Sequence, residues 1–354
     1  MTTLYLTEPH STVRKDGETL VVKIPANKEL GAAERQVRLP LIKIEQVVVP
    51  ADSTLTTPAL LALLDQKADI CFCTYNGRFA GRLAPEFSRN GLLRIEQHRA
   101  HNDYARRMAL AQQFVAAKLA NQRTQLLRTN RKLDDPALAT AAEQLAGVIK
   151  SVKALVVPPD VVVDPERPQA GTPMGTLQGL EGAGAAVYFG AFPKLLRADF
   201  GFDGRRKRPP TDPINALLSF GYVLLMNNVL SAIGLVGLDP YVGYLHSSQY
   251  GKPALALDLM EEFRPVIVDS VVQTAINNRV LDEGDFVAEV GAFRLTDPAR
   301  RRFLQKFEER LNQTVEHPAF NYQATYRRCL ELQVRLLGKT LTGEIPAYRP
   351  FVVR

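Results

Sequence analysis

INALLSFGYVLLMNNVLSAIGLVGL, residues 214–238, contains no charged side chain and is long enough to cross a bilayer. Two features assign it instead to the centre of a helical domain. Asn215, Ser219, Asn227, Asn228 and Ser231 recur through it. Just ahead, Thr211-Asp212-Pro213 is a helix cap followed by proline at the first helical position. A helix apolar all round is a buried one, so this stretch is expected to be the central helix of an α-helical domain, with no membrane association.

Downstream of that helix, YLHSSQYGKPALALDLMEEFRP (244–265) combines chemistry with helical spacing. Asp258 and Glu261 are three apart, which puts both carboxylates on one helix face. His246 precedes Asp258 across a loop marked by Gly251 and Pro253. Upstream, LQGLEGAGAAVYFGAF (177–192) surrounds Glu181 with glycine and alanine. Such residues let another backbone, or a ligand, approach the helix closely; tight packing beside a solvent-exposed acid is the plainer alternative. The pattern is not G-x-G-x-x-G and follows no strand, which excludes a dinucleotide fingerprint. Glutamate, histidine and a further acid suit Mg²⁺ or Mn²⁺, and without a cysteine among them structural zinc is not expected. His10, His98, His101 and His317 are read as surface or packing residues.

Between the two acid motifs lies GFDGRRKRPPTDP (201–213). Its Arg205, Arg206, Lys207 and Arg208 form a basic run on a loop bounded by glycine and proline. A nuclear address is formally possible, but a phosphate-gripping loop fits better, since arginine forks match phosphate oxygens. A second basic stretch, residues 104–132, carries no acid and traces an apolar stripe through Met108, Ala111, Val115, Leu119 and Leu126. It reads as either a solvated helix face or a phosphate-facing surface.

The first part of the chain has a different period. TLVVKI, QVRLP, IKIEQVVVP, ADICFCTY and LLRIEQH read as strands, TTPALLALLDQ as a helix, and Asn76-Gly77 as a tight turn opening a hairpin. The fold class is therefore α+β: a small N-terminal β-rich domain, residues 1–97, followed by a larger all-α domain, residues 98–354. A proline-dense stretch, residues 156–175, reads as a loop inside the helical part, which is otherwise expected to stay helical nearly to the end.

The whole chain of 354 residues, with 46% hydrophobic and 23% charged residues, has the composition of a globular protein of two domains. Its 44 Lys+Arg exceed its 37 Asp+Glu, a basic balance consistent with a polyanionic partner. Three cysteines make no disulfide framework; Cys71 and Cys73 alternate on a strand and are read as small core residues in a reducing compartment. The N-terminus lacks the pattern of a signal peptide, and a cytoplasmic location is expected. From the residues alone, the chain reads as a basic, metal-dependent phosphoryl-transfer protein.

Six segments, in this order, resemble one family: NGRFAGRLAP (76–85), AKLANQRTQLLR (117–128), LQGLEGAGAAVYF (177–189), RRKRPPTDPINALLSFGYVLL (205–225), GYLHSSQYGKPALALDLMEEFRPVIVD (243–269) and YRPFVVR (348–354). It is the CRISPR-associated integrase of the spacer-acquisition machinery. The resemblance implies metal ligands at Glu181, His246 and Glu261, with Asp258 as a neighbouring catalytic acid. It implies a β domain that forms the homodimer, and a heterohexamer in which two such dimers flank a dimer of a small ferredoxin-like partner. The implied reaction is transesterification: a 3′-hydroxyl of a captured DNA fragment attacks a phosphodiester at the edge of a CRISPR repeat. A metal-dependent nuclease or branched-DNA resolvase, with water as nucleophile, would use the same ligands, and a non-enzymatic DNA-binding subunit is a further alternative. The proline-dense stretch looks longer than the family's usual link.

Overall fold

The computed structural model describes residues 2–26, 33–50, 52–74, 79–86, 88–158, 172–206, 209–246, 249–289 and 291–353. The chain divides into two compact units, residues 1–89 and 90–354.

Among its described residues the first unit holds eight strands and one α-helix: β1 (Thr2–Tyr5), β2 (Thr12–Asp16), β3 (Thr19–Ile24), β4 (Arg35–Pro40), β5 (Ile44–Pro50), β6 (Thr54–Leu55), α1 (Thr57–Asp65), β7 (Asp69–Cys73) and β8 (Phe79–Leu83). They form two four-stranded sheets, ordered β1-β5-β7-β8 and β4-β3-β2-β6. Strands β1, β5 and β7 run parallel, and β8 returns antiparallel on β7. Parallel neighbours need a crossover, and α1 supplies it between β5 and β7. One core joins both sheets to the helix: Val13, Leu20 and Val22 from one, Val47, Val49 and Ile70 from the other, Ala59 and Leu63 from α1. Cys71 is buried and Cys73 half-buried, both as free thiols. The Asn76-Gly77 turn lies outside the described residues.

The second unit begins earlier than the strand reading of LLRIEQH placed it. That segment is helical, within α2 (Gly91–Asn102). Asn90 accepts a hydrogen bond from Leu93 N at 3.1 Å, and Leu93, Gln97 and Ala100 are buried. Those positions recur at helical spacing, and the cap starts the helix; the local alternation of Leu93, Arg94, Ile95 and Glu96 imitates a strand. There follow α3 (Tyr104–Leu133), α4 (Pro136–Ala154), α5 (Pro173–Ala191), α6 (Pro213–Val236), α7 (Ala254–Glu261), a π-helical turn (Pro265–Asp269) and α8 (Ser270–Asn277). Two hairpins interrupt the helical run that the sequence suggested: β9 (Phe286–Glu289) with β10 (Ala292–Leu295), and β11 (Thr314–Glu316) with β12 (Gln323–Thr325), around α9 (Asp297–Asn312); α10 (Tyr326–Leu341) is the last helix. Of the proline-dense stretch, residues 159–171 lie outside the described residues.

Helix α6 is the one described helix long and apolar enough to cross a membrane, and most of it is buried within the protein. It starts where Asp212 Oδ1 accepts from Asn215 N at 2.8 Å and ends at Gly237 with φ of 95°, a conformation that glycine adopts without strain. Two of its asparagines have internal partners, while the buried Asn227 Oδ1 has none among the described residues. Asn215 also bonds the Gly204 carbonyl, and Asn228 accepts from Arg327 at 2.8 Å.

The apolar stripe of α3 is fully buried from Met108 to Leu126. Several of its basic residues turn inward too, which neither sequence alternative anticipated. Arg107 donates to Tyr244 O, Arg123 to Ala142 O, and Arg106 to Leu341 O, while Lys118 reaches two acids described below. Their positive charge serves the interior of the bundle.

Candidate active site

Helix α5 lies closely against α3: a Cβ on Gly184 would collide with the tip of the Leu119 side chain, which would have to move. This brings Glu181, one turn earlier on α5, beside Lys118 on α3. The Lys118 ammonium hydrogen-bonds Glu181 Oε1. It also lies 2.8 Å from Glu261 Oε2 on α7, an ion pair without hydrogen-bond geometry, since that oxygen is buried with no hydrogen-bond partner. One cation from α3 thus bridges carboxylates from α5 and α7. Burial opposes the lysine's charge, but Glu261 and Glu181 outweigh it and raise its pKa.

Glu261 is the floor of the site, its side chain 4% exposed. Arg264, one turn on, touches Oε1 at 3.2 Å, and His246 Nε2 lies 4.0 Å from the same oxygen. Burial would raise the Glu261 pKa; Arg264 and Lys118, joined by His246 when it is protonated, hold it down at about 2. The Arg264 guanidinium also stacks 4.8 Å from the centre of the Tyr222 ring.

Asp258 is completely buried and does a different job. Its Oδ2 accepts from the backbone N–H of Tyr244 at 2.5 Å and Leu245 at 3.0 Å. Its Oδ1 accepts from the N–H of His246 at 2.9 Å and pairs with the imidazole Nδ1 at 2.7 Å. A carboxylate can only accept, so a proton sits on Nδ1, and in the neutral imidazole it is the Nε2 lone pair that faces Glu261. The loop carrying His246 is tied down from three helices. Gln97 binds Asp239 O and Val242 O, Arg107 binds Tyr244 O, and Gln178 on α5 binds Leu245 O at 3.2 Å.

Gly243 makes this enclosure possible. A Cβ there would stand 2.7 Å from the Ala254 carbonyl carbon and 2.8 Å from Asp258 Oδ2. Backbone on one side and a fixed carboxylate on the other cannot yield cheaply, so Gly243→Ala should destabilise the protein by about 1–3 kcal/mol. Thermal unfolding checks it, and an unchanged midpoint would mean the loop relaxes freely.

Lys118 thus links Glu181 to Glu261, and Glu261 neighbours His246, which Asp258 holds; Glu181 and His246 are about a quarter exposed. Lys118 and Arg264 are the members that sequence reasoning missed. Lys118 was visible as the lone cation within the apolar stretch FVAAKLA, a sign that an acid must meet it. Among the described residues, no three His, Cys, Asp or Glu side chains are gathered to hold a metal ion; the Lys118 ammonium stands between two of the carboxylates. The donor set nevertheless fits a hard divalent cation: two carboxylates, one of whose oxygens lacks a hydrogen-bond donor, and an imidazole nitrogen held free.

The basic loop is only partly a surface feature. Arg205 is drawn inward, bonding Asn215 Oδ1 at 2.7 Å and Ser219 Oγ at 3.1 Å, and its guanidinium lies 5.4 Å from the Tyr222 ring centre. Its planar fork is spent on α6 and holds the loop to the helix. Arg206 is exposed beside Asp203. Lys207 and Arg208 lie outside the described residues.

The profile of the family described as CRISPR associated protein Cas1 matches residues 4–309. A Cas4 exonuclease/Cas1 endonuclease fusion of Geobacter sulfurreducens is 40% identical over 99% of the chain, which spans 60% of that fusion. A Cas1 endonuclease of Moorella thermoacetica is 37% identical over 100% of the chain and 99% of its own length. Among solved structures, a casposase bound to integration product superposes with a TM-score of 0.81 at 25% identity, covering 98% of this chain and 92% of that one. The Cas1-containing chain of a Cas6-RT-Cas1–Cas2 complex gives 0.74 at 25% identity, covering 100% of this chain and 36% of that one. The α+β fold, the grouped acids and these matches agree, and the chain belongs to the Cas1 family.

Proposed function

We propose that the protein is a metal-dependent DNA strand-transfer enzyme of CRISPR adaptation, joining the 3′-hydroxyl of a captured fragment to a phosphodiester at the edge of a repeat. The observation that carries this reading is the linking of Glu181 to Glu261 through Lys118, with His246 beside Glu261 and Asp258 setting the imidazole tautomer. Glu181, the His246 Nε2 and Glu261 would hold Mg²⁺ or Mn²⁺. Such an ion polarises a scissile phosphate and stabilises charge on the departing oxygen. Arg264 keeps Glu261 ionised, Asp258 keeps the His246 proton on Nδ1, and Gln178 ties the histidine loop to the helix bearing Glu181. No side chain needs to become a covalent intermediate. Likeness to a casposase described as bound to integration product favours joining over hydrolysis.

DNA is the expected substrate, in keeping with the net charge of +7, and Arg206, Lys207 and Arg208 are placed on its phosphates, with Arg205 holding their loop. The β-rich unit is assigned the homodimer contact. The likeness to a Cas1 chain in a complex with Cas2 supports a small ferredoxin-like partner between two dimers.

The test is strand joining of a labelled fragment to supercoiled repeat DNA with Mn²⁺ and that partner. Joined product is expected from the wild type, and none from Glu181→Ala, His246→Ala or Glu261→Ala variants that melt as the parent does. Joining retained in His246→Ala would overturn the assignment. Cleaved product without joined product in the wild type would instead establish a nuclease or resolvase.

A further inference from the structure

Lys118 is 7% exposed, lies on a helix with no acid among residues 104–132, and places its ammonium between two carboxylates from two other helices. A buried carboxylate and a half-buried one drawn to the same point repel each other as anions unless a counter-charge stands between them. Arg264 does not bridge the pair, because it touches the other oxygen of Glu261. The choice of lysine matters. An ammonium is a compact charge on a flexible stem, able to bridge two oxygens and withdraw, whereas a guanidinium is a rigid fork. Leaving would break the ion pair with Glu261 Oε2 and the hydrogen bond to Glu181 Oε1.

We propose that Lys118 is a resident counter-cation that keeps Glu181 and Glu261 paired, and that a divalent ion enters by displacing its ammonium. The inference rests on the metal-ligand reading of these two glutamates. Lysine and metal then compete for the same oxygens. The metal-free site is held open and charged by the lysine, and metal affinity is set below what the bare ligands would give.

The test uses the full-length protein as Lys118→Met, which keeps the unbranched stem and removes the charge, and Lys118→Gln as a second variant should the first not fold. Mn²⁺ binding is measured by calorimetric titration, and thermal unfolding is followed in EDTA and in MnCl₂. In EDTA the variants should melt below the wild type. They should bind Mn²⁺ about tenfold more tightly or better, the fold-change equivalent to one charge-assisted hydrogen bond, and gain more from Mn²⁺ in their melting temperature. Glu181→Gln and Glu261→Gln in the wild-type background separate the two readings. If both bind Mn²⁺ as the wild type does, the ligand assignment itself fails. If both lose Mn²⁺ while Lys118→Met and Lys118→Gln bind it no more tightly than the wild type, the ligands stand and displacement is overturned.

Discussion

Asp258→Asn should weaken Mn²⁺ binding and strand joining by about 10–100-fold, the usual scale for a group that orients a ligand. Asp258 faces four donors: three backbone N–H groups and the imidazole Nδ1. Asparagine offers one acceptor end and one donor end. With its amide towards Tyr244 and Leu245, N–H opposes N–H, leaving buried donors unpaired at about 1–3 kcal/mol each. With its amide towards His246, the ring must accept at Nδ1, and the proton moves to Nε2, closing the lone pair that faces Glu261. Either orientation damages the site while every proposed ligand remains. Calorimetry gives the affinity, and ¹⁵N chemical shifts of the His246 ring report the tautomer. High Mn²⁺ should restore part of the activity. Wild-type affinity with an unchanged ring tautomer would remove Asp258 from its positioning role.

Spacing along one helix was enough to pair Asp258 with Glu261, because i and i+3 share a face whatever surrounds them. It could not assign their tasks. Both are acids on α7, but only the fold shows that one is enclosed by the backbone of residues 244–246 and the other faces α3 and α5. The same limit explains Lys118 and the other inward-turning cations of α3. A helical period separates apolar from polar faces, yet a helix surrounded on most sides buries polar residues wherever a carbonyl or carboxylate meets them. Residues 92–98 misled for a local reason. Their side chains alternate over a few positions, and the capping bond from Asn90 that starts the helix lies just outside the apparent strand. The two small hairpins were overlooked because each strand is three or four residues long, too short to establish an alternating pattern against helical neighbours. By contrast, Asp212-Pro213 and Gly237 bracket α6 as cap and stop, and that central helix was legible from end to end.

The residue beside Glu261 should matter more for stability than any group in the site. Glu262 is fully buried, and its Oε1 accepts from the Tyr348 hydroxyl at 2.6 Å while Oε2 accepts from Phe351 N at 2.6 Å and Gln333 Nε2 at 2.9 Å. Asn121 on α3 closes the arrangement, donating to Glu262 O and Phe351 O and accepting from Val353 N. YRPFVVR is thus bound to the end of the helix that carries Asp258 and Glu261. Glu262→Ala would leave three donors facing a new cavity, an expected loss of roughly 3–5 kcal/mol. In a unit of this size that lowers the melting temperature by roughly 6–20 °C, at about 2–4 °C per kcal/mol. Burial pushes the Glu262 carboxyl up to about 8, against the three donors that favour its anion; a proton on the oxygen facing Tyr348, with that hydroxyl accepting, would give it the donor and acceptor inventory of a primary amide in all but one hydrogen. Glu262→Gln should therefore keep most of the stability that alanine loses, with the Tyr348 hydroxyl turning to accept. Thermal unfolding of both variants in EDTA decides the matter without reference to metal or DNA. If glutamine melts as low as alanine, the group is needed as an anion and the protonated reading is wrong. If alanine melts as the wild type does, the closing segment is held by its apolar contacts, chiefly Phe351 stacked 4.8 Å from Phe263, and the polar cluster contributes little to anchoring α7.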